Sequence, residues 1–274
     1  MTDHYAVIGN PIAQSKSPLI HTAFARQTHQ DLDYVAILGP RDGFAERVDQ
    51  FRREGGRGLN VTVPFKLDAF AHATDLSERA RAAGAVNALK FEGERVLAEN
   101  FDGVGLVRDI RDNLGFPMTG RRILLLGAGG AARGVIAPFL AQKPACLVIA
   151  NRTPERAAAL AEEFSRHGAV DSLEYVELER ALAFNLVVNT TSASLRGESP
   201  PVAARSYAAG SLAYDLVYGK GLTPFLRAAR SAGAVRIADG LGMLVEQAAE
   251  AFTWWRGVRP QTKAVIEALT APLV

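Results

Sequence analysis

Cysteine is almost missing from this chain of 274 residues: Cys146 stands alone, which excludes an intrachain disulfide and a thiolate-held metal cluster. No run of five or more basic residues occurs. The 31 basic residues stand against 29 acidic ones, a formal net charge of +2, so binding to nucleic acid or to a membrane surface is disfavoured. No stretch of 18 consecutive apolar residues occurs, so no transmembrane helix is expected. The segment Met1-Thr2-Asp3-His4-Tyr5-Ala6-Val7-Ile8-Gly9 lacks the basic and apolar regions of a signal peptide. These absences predict a cytoplasmic location. The five histidines (His4, His21, His29, His72 and His167) show no metal-ligand spacing. No metal is expected, and they are read as surface or packing residues. Lysine is scarce too, with six against 25 arginines.

What remains is an ordinary globular composition, 48% hydrophobic and 22% charged. The length suits one large domain or two medium ones. Short apolar runs at 5–9, 33–38, 58–63, 86–91, 122–127, 146–151, 185–190, 212–216 and 235–238 read as strands. Most are separated by segments with apolar residues at helical spacing, which predicts an α/β fold with parallel sheets. Ser17-Pro18, Thr153-Pro154 and Thr223-Pro224 each set an N-cap hydroxyl before a proline at the first helical position. Asp102-Gly103 can cap a helix running to about Asn113, and Gly115 and Pro117 mark the best candidate domain boundary. Late helices are expected at about 241–256 and 260–270.

The strongest generic motif is Arg122-Ile123-Leu124-Leu125-Leu126-Gly127-Ala128-Gly129-Gly130-Ala131-Ala132, a strand, then G-x-G-x-x-A, then a helix. Gly127 permits the tight turn, Gly129 lets the backbone approach a pyrophosphate, and Ala132 allows close helix–strand packing. The helix N-terminus then offers its partial positive charge to the phosphates. The next strand ends in Asn151-Arg152-Thr153, without the acidic residue that binds a ribose 2′-hydroxyl in an NAD site. Arg152, with Arg156 one turn on, instead matches a 2′-phosphate in charge and geometry, which points to NADP.

Polar residues also stand in unusual places before that motif. Asn60-Val61-Thr62-Val63-Pro64-Phe65-Lys66 is strand-like but closes on Pro and Lys. The Lys66 amine can act as charge partner and proton carrier, or simply lie exposed at a helix start. Asn87 sits within the apolar Gly84-Ala85-Val86-Asn87-Ala88 and needs hydrogen-bond partners that a polyhydroxylated ligand would supply. Asp102 can be a plain N-cap, a catalytic carboxylate, or both. Ser15 and Ser17 flank Lys16, with Ser17 read first as an N-cap.

Together these segments resemble the shikimate dehydrogenase family. The matching blocks are Gly9-Asn10-Pro11-Ile12-Ala13 with Ser15-Lys16-Ser17-Pro18; Asn60 to Lys66; Gly84 to Asn87; Asn100 with Asp102-Gly103; Gly127 to Ala131; Asn151-Arg152-Thr153; Tyr214-Asp215 with Tyr218; and Asp239-Gly240-Leu241-Gly242-Met243-Leu244-Val245 with Gln247. They occur in the family's order and span nearly the whole chain.

The resemblance implies two α/β domains with a cleft between them. Residues 1–101 would form a substrate-binding domain, with the C-terminal helices of 241–274 packing back on it. Residues 102–240 would form a Rossmann-type, doubly wound NADP-binding domain. It implies that Ser15, Ser17, Asn60, Thr62, Asn87, Tyr218 and Gln247 bind substrate, and that Lys66 and Asp102 form the catalytic pair. The pyrophosphate would lie on Gly127, Ala128, Gly129, Gly130 and Ala131, and the adenosine phosphate on Asn151, Arg152, Thr153 and Arg156. Leu216, Gly240 and Met243 would lie near the nicotinamide. The implied reaction, part of the shikimate pathway to aromatic amino acids, passes hydride from NADPH to the ketone carbon of 3-dehydroshikimate. Lys66 would supply the proton or stabilise the oxygen's charge, and Asp102 would orient it. The partners would be small molecules, and the chain a monomer or homodimer.

Phe101 departs from the family, which usually has Thr there, and a ring beside Asp102 can reshape the substrate pocket. Leu216 replaces a common Met with little change of volume. A relative acting on quinate or an amino analogue, or an NADP-binding sensor without catalysis, are the rival readings. Retention of both Lys66 and Asp102 argues against the sensor.

Overall fold

A computed structural model describes residues 2–219 and 221–273. The chain divides into two compact units. The first runs to Gly105 and takes in Val245–Glu267; the second comprises Leu106–Leu244 and the chain end from Ala268.

In chain order the first stretch carries β1 (Asp3–Gly9), α1 (Ser17–Gln27), β2 (Leu32–Leu38), α2 (Phe44–Arg53), β3 (Gly56–Val61), α3 (Lys66–His72), β4 (Asp75–Leu76), α4 (Glu78–Ala83), β5 (Ala88–Glu92), β6 (Arg95–Glu99) and α5 (Asp102–Arg108). Its six-stranded sheet has the order β2-β1-β3-β5-β6-β4. Tyr5, Ala6, Val7 and Ile8 of β1 are all buried, as suits an apolar run between two neighbouring strands. The edge strand β2 buries only Tyr34 and Ile37.

The expectation of parallel sheets is corrected here. β1 pairs in parallel with β2 and β3, but β5 runs antiparallel to both β3 and β6. The cause is local: Gly93, with φ of 57°, lets the chain reverse in a tight hairpin between β5 and β6. The reversal matters for function. The C-terminal ends of β1, β3 and β6 and the N-terminal end of β5 come to one edge of the sheet, because Asn60 is in register with Ala88 and Ala88 with Glu99.

The second stretch continues with β7 (Arg122–Leu126), α6 (Gly130–Leu140), β8 (Cys146–Ala150), α7 (Pro154–Phe164), β9 (Val170–Leu173), β10 (Phe184–Asn189), β11 (Tyr207–Asp215), α8 (Pro224–Ser231), β12 (Arg236–Asp239), α9 (Leu241–Arg256) and α10 (Lys263–Leu269). Its sheet, β12-β11-β10-β7-β8-β9, is parallel throughout. That is the doubly wound dinucleotide-binding order, with the switch point between β7 and β10. Apolar clusters form its core, one around Ile123, Leu125, Ile136, Phe139 and Tyr214, another around Leu124, Phe184, Phe225 and Leu226.

The boundaries differ from expectation. Gly115 and Pro117 mark no domain boundary, since Phe116 and Met118 are buried in the second unit's core. The division falls between Gly105 and Leu106, inside α5. The chain end from Ala268 groups with the second unit, where Leu273 packs and its carbonyl accepts a hydrogen bond from Arg230. Two caps also differ. Ser17 begins α1 without capping it, and the Thr153 hydroxyl makes no cap bond, whereas Thr223 accepts from the Leu226 N–H as predicted.

Candidate functional site

At the convergent edge of the first sheet, α3 starts on Lys66 and α5 starts on Asp102. The Lys66 Nζ donates to Asp102 Oδ2 at 2.6 Å. The other carboxylate oxygen, Oδ1, accepts from Asn87 Nδ2 at 2.8 Å. The backbone helps hold both residues: Asp102 N–H donates to Asn100 Oδ1, and Val86 N–H, just before Asn87, donates to the Lys66 carbonyl. Both partners remain partly exposed, so the pair is open to a ligand while fixed from behind.

Asn87 is the junction of the site. Besides Asp102, its Nδ2 reaches Gln247 Oε1 at 3.2 Å, and its Oδ1 accepts from the Phe101 N–H at 2.9 Å. Its carbonyl accepts from the Val61 N–H and from Asn60 Nδ2. Lys66, Asp102, Asn87, Gln247 and Asn60 are thus joined in one network within the first unit. Ser15 and Ser17 lie at the start of α1, where the Ser15 hydroxyl accepts from the Ser17 N–H at 3.3 Å. Thr62 follows β3 and donates its N–H to the Ile8 carbonyl; its methyl group lies so close to Gly9 that a Cβ there would sit 2.4 Å away. Phe101 points away from solvent. Its ring meets Trp254 edge-on at 5.8 Å and the Arg79 guanidinium at 5.4 Å, behind the network.

Tyr218 belongs to the second unit, in the turn after β11, where burial and the nearby Asp239 raise its pKa. In that unit β7 ends at Leu126 and Gly127 takes a φ of 108°. Gly129 stands before α6 with no side-chain cap, and a Cβ on Gly129 or Gly130 would meet nothing within 4 Å. Uncapped first-turn amides with open space before them fit a pyrophosphate. After β8, Asn151 Nδ2 donates to the Thr153 carbonyl at 3.0 Å. Arg152 and Arg156 are exposed, with no ion-pair partner among the described residues. Leu216, Gly240 and Met243 converge as well: a Cβ on Gly240 would lie 2.2 Å from the Leu216 carbonyl oxygen, and Leu216, Met243 and Ala128 pack on one core. Among the described residues no group of three or more His, Cys, Asp or Glu could hold a metal ion. No described helix is long and apolar enough to cross a membrane.

Three family models match the chain: the shikimate dehydrogenase substrate binding domain over residues 7–89, shikimate / quinate 5-dehydrogenase over 110–196, and the shikimate 5′-dehydrogenase C-terminal domain over 240–270. The chain is 58% identical over 273 residues to shikimate dehydrogenase (NADP(+)) of Nitrosospira multiformis, covering 100% of this chain and 99% of that one. It belongs to the shikimate dehydrogenase family. Its fold matches the crystal structure of an Ael1 enzyme from Pseudomonas putida with a TM-score of 0.95 at 58% identity, over 100% of both chains. It also matches shikimate 5-dehydrogenase of Thermus thermophilus, solved in complex with NADP(H) and shikimate, with a TM-score of 0.86 at 34% identity over 98% of each chain.

Residues outside the sequence prediction also contribute. Tyr34 reaches from the edge strand to Asn60, donating its hydroxyl to Oδ1 at 2.7 Å. Asp109 and Tyr214 share a buried bond of 2.8 Å, and the Tyr214 hydroxyl accepts from the Met243 N–H. A tyrosine in a strand carries no local mark of such a role.

Proposed function

We propose that this chain catalyses the reversible, NADP-dependent reduction of 3-dehydroshikimate to shikimate in the cytoplasm. The observation that carries the reading is the Lys66–Asp102 pair, bonded at 2.6 Å and held by Asn87, in a chain of this family. Bound NADPH supplies the hydride. In the reductive direction the ketone oxygen of the substrate gains negative charge and takes up a proton. The Lys66 ammonium has three N–H donors, of which Asp102 engages one, so the others can reach that oxygen. Asp102 is tied at both carboxylate oxygens and at its N–H, and it fixes the direction of the amine. Its worth is preorganisation: the donor is already aimed when charge develops.

Ser15, Ser17, Asn60, Thr62, Asn87, Tyr218 and Gln247 are the residues we assign to the hydroxyl and carboxylate groups of the substrate. The unit that runs to Gly105 and takes in Val245–Glu267 serves as the substrate-binding domain, and the unit that holds Leu106–Leu244 as the NADP-binding one. Gly127, Ala128, Gly129, Gly130 and Ala131 receive the pyrophosphate. Asn151, Arg152, Thr153 and Arg156 receive the 2′-phosphate end, and Leu216, Gly240 and Met243 border the nicotinamide. All these residues come from one chain, so a monomer or a homodimer can carry the activity.

The test is absorbance at the reduced-nicotinamide band with shikimate, and separately quinate, plus NADP or NAD. Rapid reduction of NADP by shikimate is the expected result. Turnover with quinate and NAD but not with shikimate and NADP would overturn the reading.

A further inference from the structure

Asn60 is 5% exposed and its amide has two chemically different ends. The end facing the Asn87 carbonyl, 3.3 Å away, must be Nδ2, because a carbonyl oxygen only accepts. Oδ1 therefore faces Tyr34, whose hydroxyl donates to it at 2.7 Å. The buried phenol thus reaches a residue assigned to the substrate. Its ring is held in turn: the His21 imidazole stacks on it at 4.1 Å with planes 3° apart. Burial pushes the Tyr34 phenol well above its ordinary pKa, so it stays a proton donor.

We propose that Tyr34 is a positioning residue for substrate binding: its hydroxyl on Oδ1 holds the Asn60 amide in the orientation that turns Nδ2 to the Asn87 carbonyl. With the amide held that way round and one Nδ2 hydrogen on the Asn87 carbonyl, Asn60 can offer a ligand its second N–H. That N–H selects an acceptor, a hydroxyl or carboxylate oxygen of the substrate. Tyr34 never touches the substrate in this scheme; it acts through Asn60.

The proposal rests on the reading of Asn60 as a substrate-binding residue, and a double-mutant cycle separates the two. Tyr34→Phe keeps the ring and its stack on His21, and removes only the hydroxyl. It is expected to raise the shikimate KM about three- to tenfold, the worth of one misplaced hydrogen bond. The KM for NADP should stay unchanged, and the Asn60 side-chain amide resonance should shift in the ¹⁵N spectrum. In an Asn60→Ala background the same substitution should raise the shikimate KM no further. An unchanged KM in Asn60→Ala itself would overturn the substrate-binding reading and the proposal with it. A raised KM in Asn60→Ala with an unchanged KM and an unshifted amide in Tyr34→Phe would overturn the positioning role alone. So would effects that add in full in the double variant, because packing loss does not act through Asn60.

Discussion

Replacing Phe101 by Thr restores the residue usual in the family, and the structure predicts that it weakens the protein without improving the enzyme. Phe101 is 2% exposed and packs with Trp254 and the Arg79 guanidinium in the cluster that includes Tyr5, Val7, Tyr34 and Trp255. Emptying such a site by Phe→Ala costs about 3–5 kcal/mol. Threonine refills part of the space but buries a hydroxyl, which costs about 1–3 kcal/mol if it finds no partner. The net loss is about 3 kcal/mol, and at roughly 2–4 °C per kcal/mol for a chain of this size the Tm falls by about 6–12 °C. Turnover with shikimate should stay within about twofold, because the link from residue 101 to the site is its backbone N–H on Asn87 Oδ1, which threonine keeps. A thermal melt followed by circular dichroism and a steady-state assay of the same preparation give both numbers. An unchanged Tm together with a large gain in kcat/KM would refute the reasoning and put the ring in the path of the substrate.

Lys66→Ala should lower kcat by about 10²–10⁴-fold with the NADP KM unchanged, and Asp102→Asn should do the same; near-normal turnover in steady-state assays would remove both from the mechanism. Arg152→Ala should erode the preference for NADP over NAD about tenfold or more, through the cofactor KM, as fits loss of a charge-assisted phosphate contact. His21 gives a pH signature. Burial lowers its pKa from 6.5 to about 3, so the unfolded chain binds a proton that the folded one refuses. The resulting stability is complete above pH 6.5 and is lost toward pH 3, at up to about 1.4 kcal/mol per unit. Between pH 7 and pH 5 this group should therefore cost the native protein about 2 kcal/mol in urea melts. His21→Phe should flatten that dependence, and equal losses in both proteins would refute it.

Some of this architecture is visible in the residues before any folding is known. β7 and β8 are apolar runs buried on both sides of a parallel sheet, and the glycines after β7 have few other uses, so the doubly wound unit was legible. β4, β6 and β9 were not. β4 is two residues long, β6 is Arg95-Val96-Leu97-Ala98-Glu99 with charged ends, and β9 contains Asp171 and Ser172 at an edge. Missing β6 meant missing the hairpin at Gly93, and with it the antiparallel half of the first sheet. The site divides in the same way. Asn87 stood out as a polar residue inside an apolar stretch, whereas Lys66 and Asp102 also read as an exposed helix start and a plain N-cap, and the family resemblance paired them. The bond from Tyr34 to Asn60 depends on two strands that become neighbours only through β1, a pairing no local pattern records.

The first unit is discontinuous along the chain, and that has a consequence for how the protein is made. A ribosome releases residues in order, at about 5–20 per second. The dinucleotide-type sheet, β7 to β12, is complete once Asp239 has emerged, whereas the earlier unit still waits for Gln247, which meets Asn87, and for Trp255, which stacks on Tyr5 and donates to the Leu89 carbonyl. The part synthesised first is thus still incomplete when the later sheet is already whole. Until α9 arrives, Tyr5 and Leu89 lack the tryptophan that covers them, and the nascent chain carries an apolar surface for which the matching helix has not yet been translated.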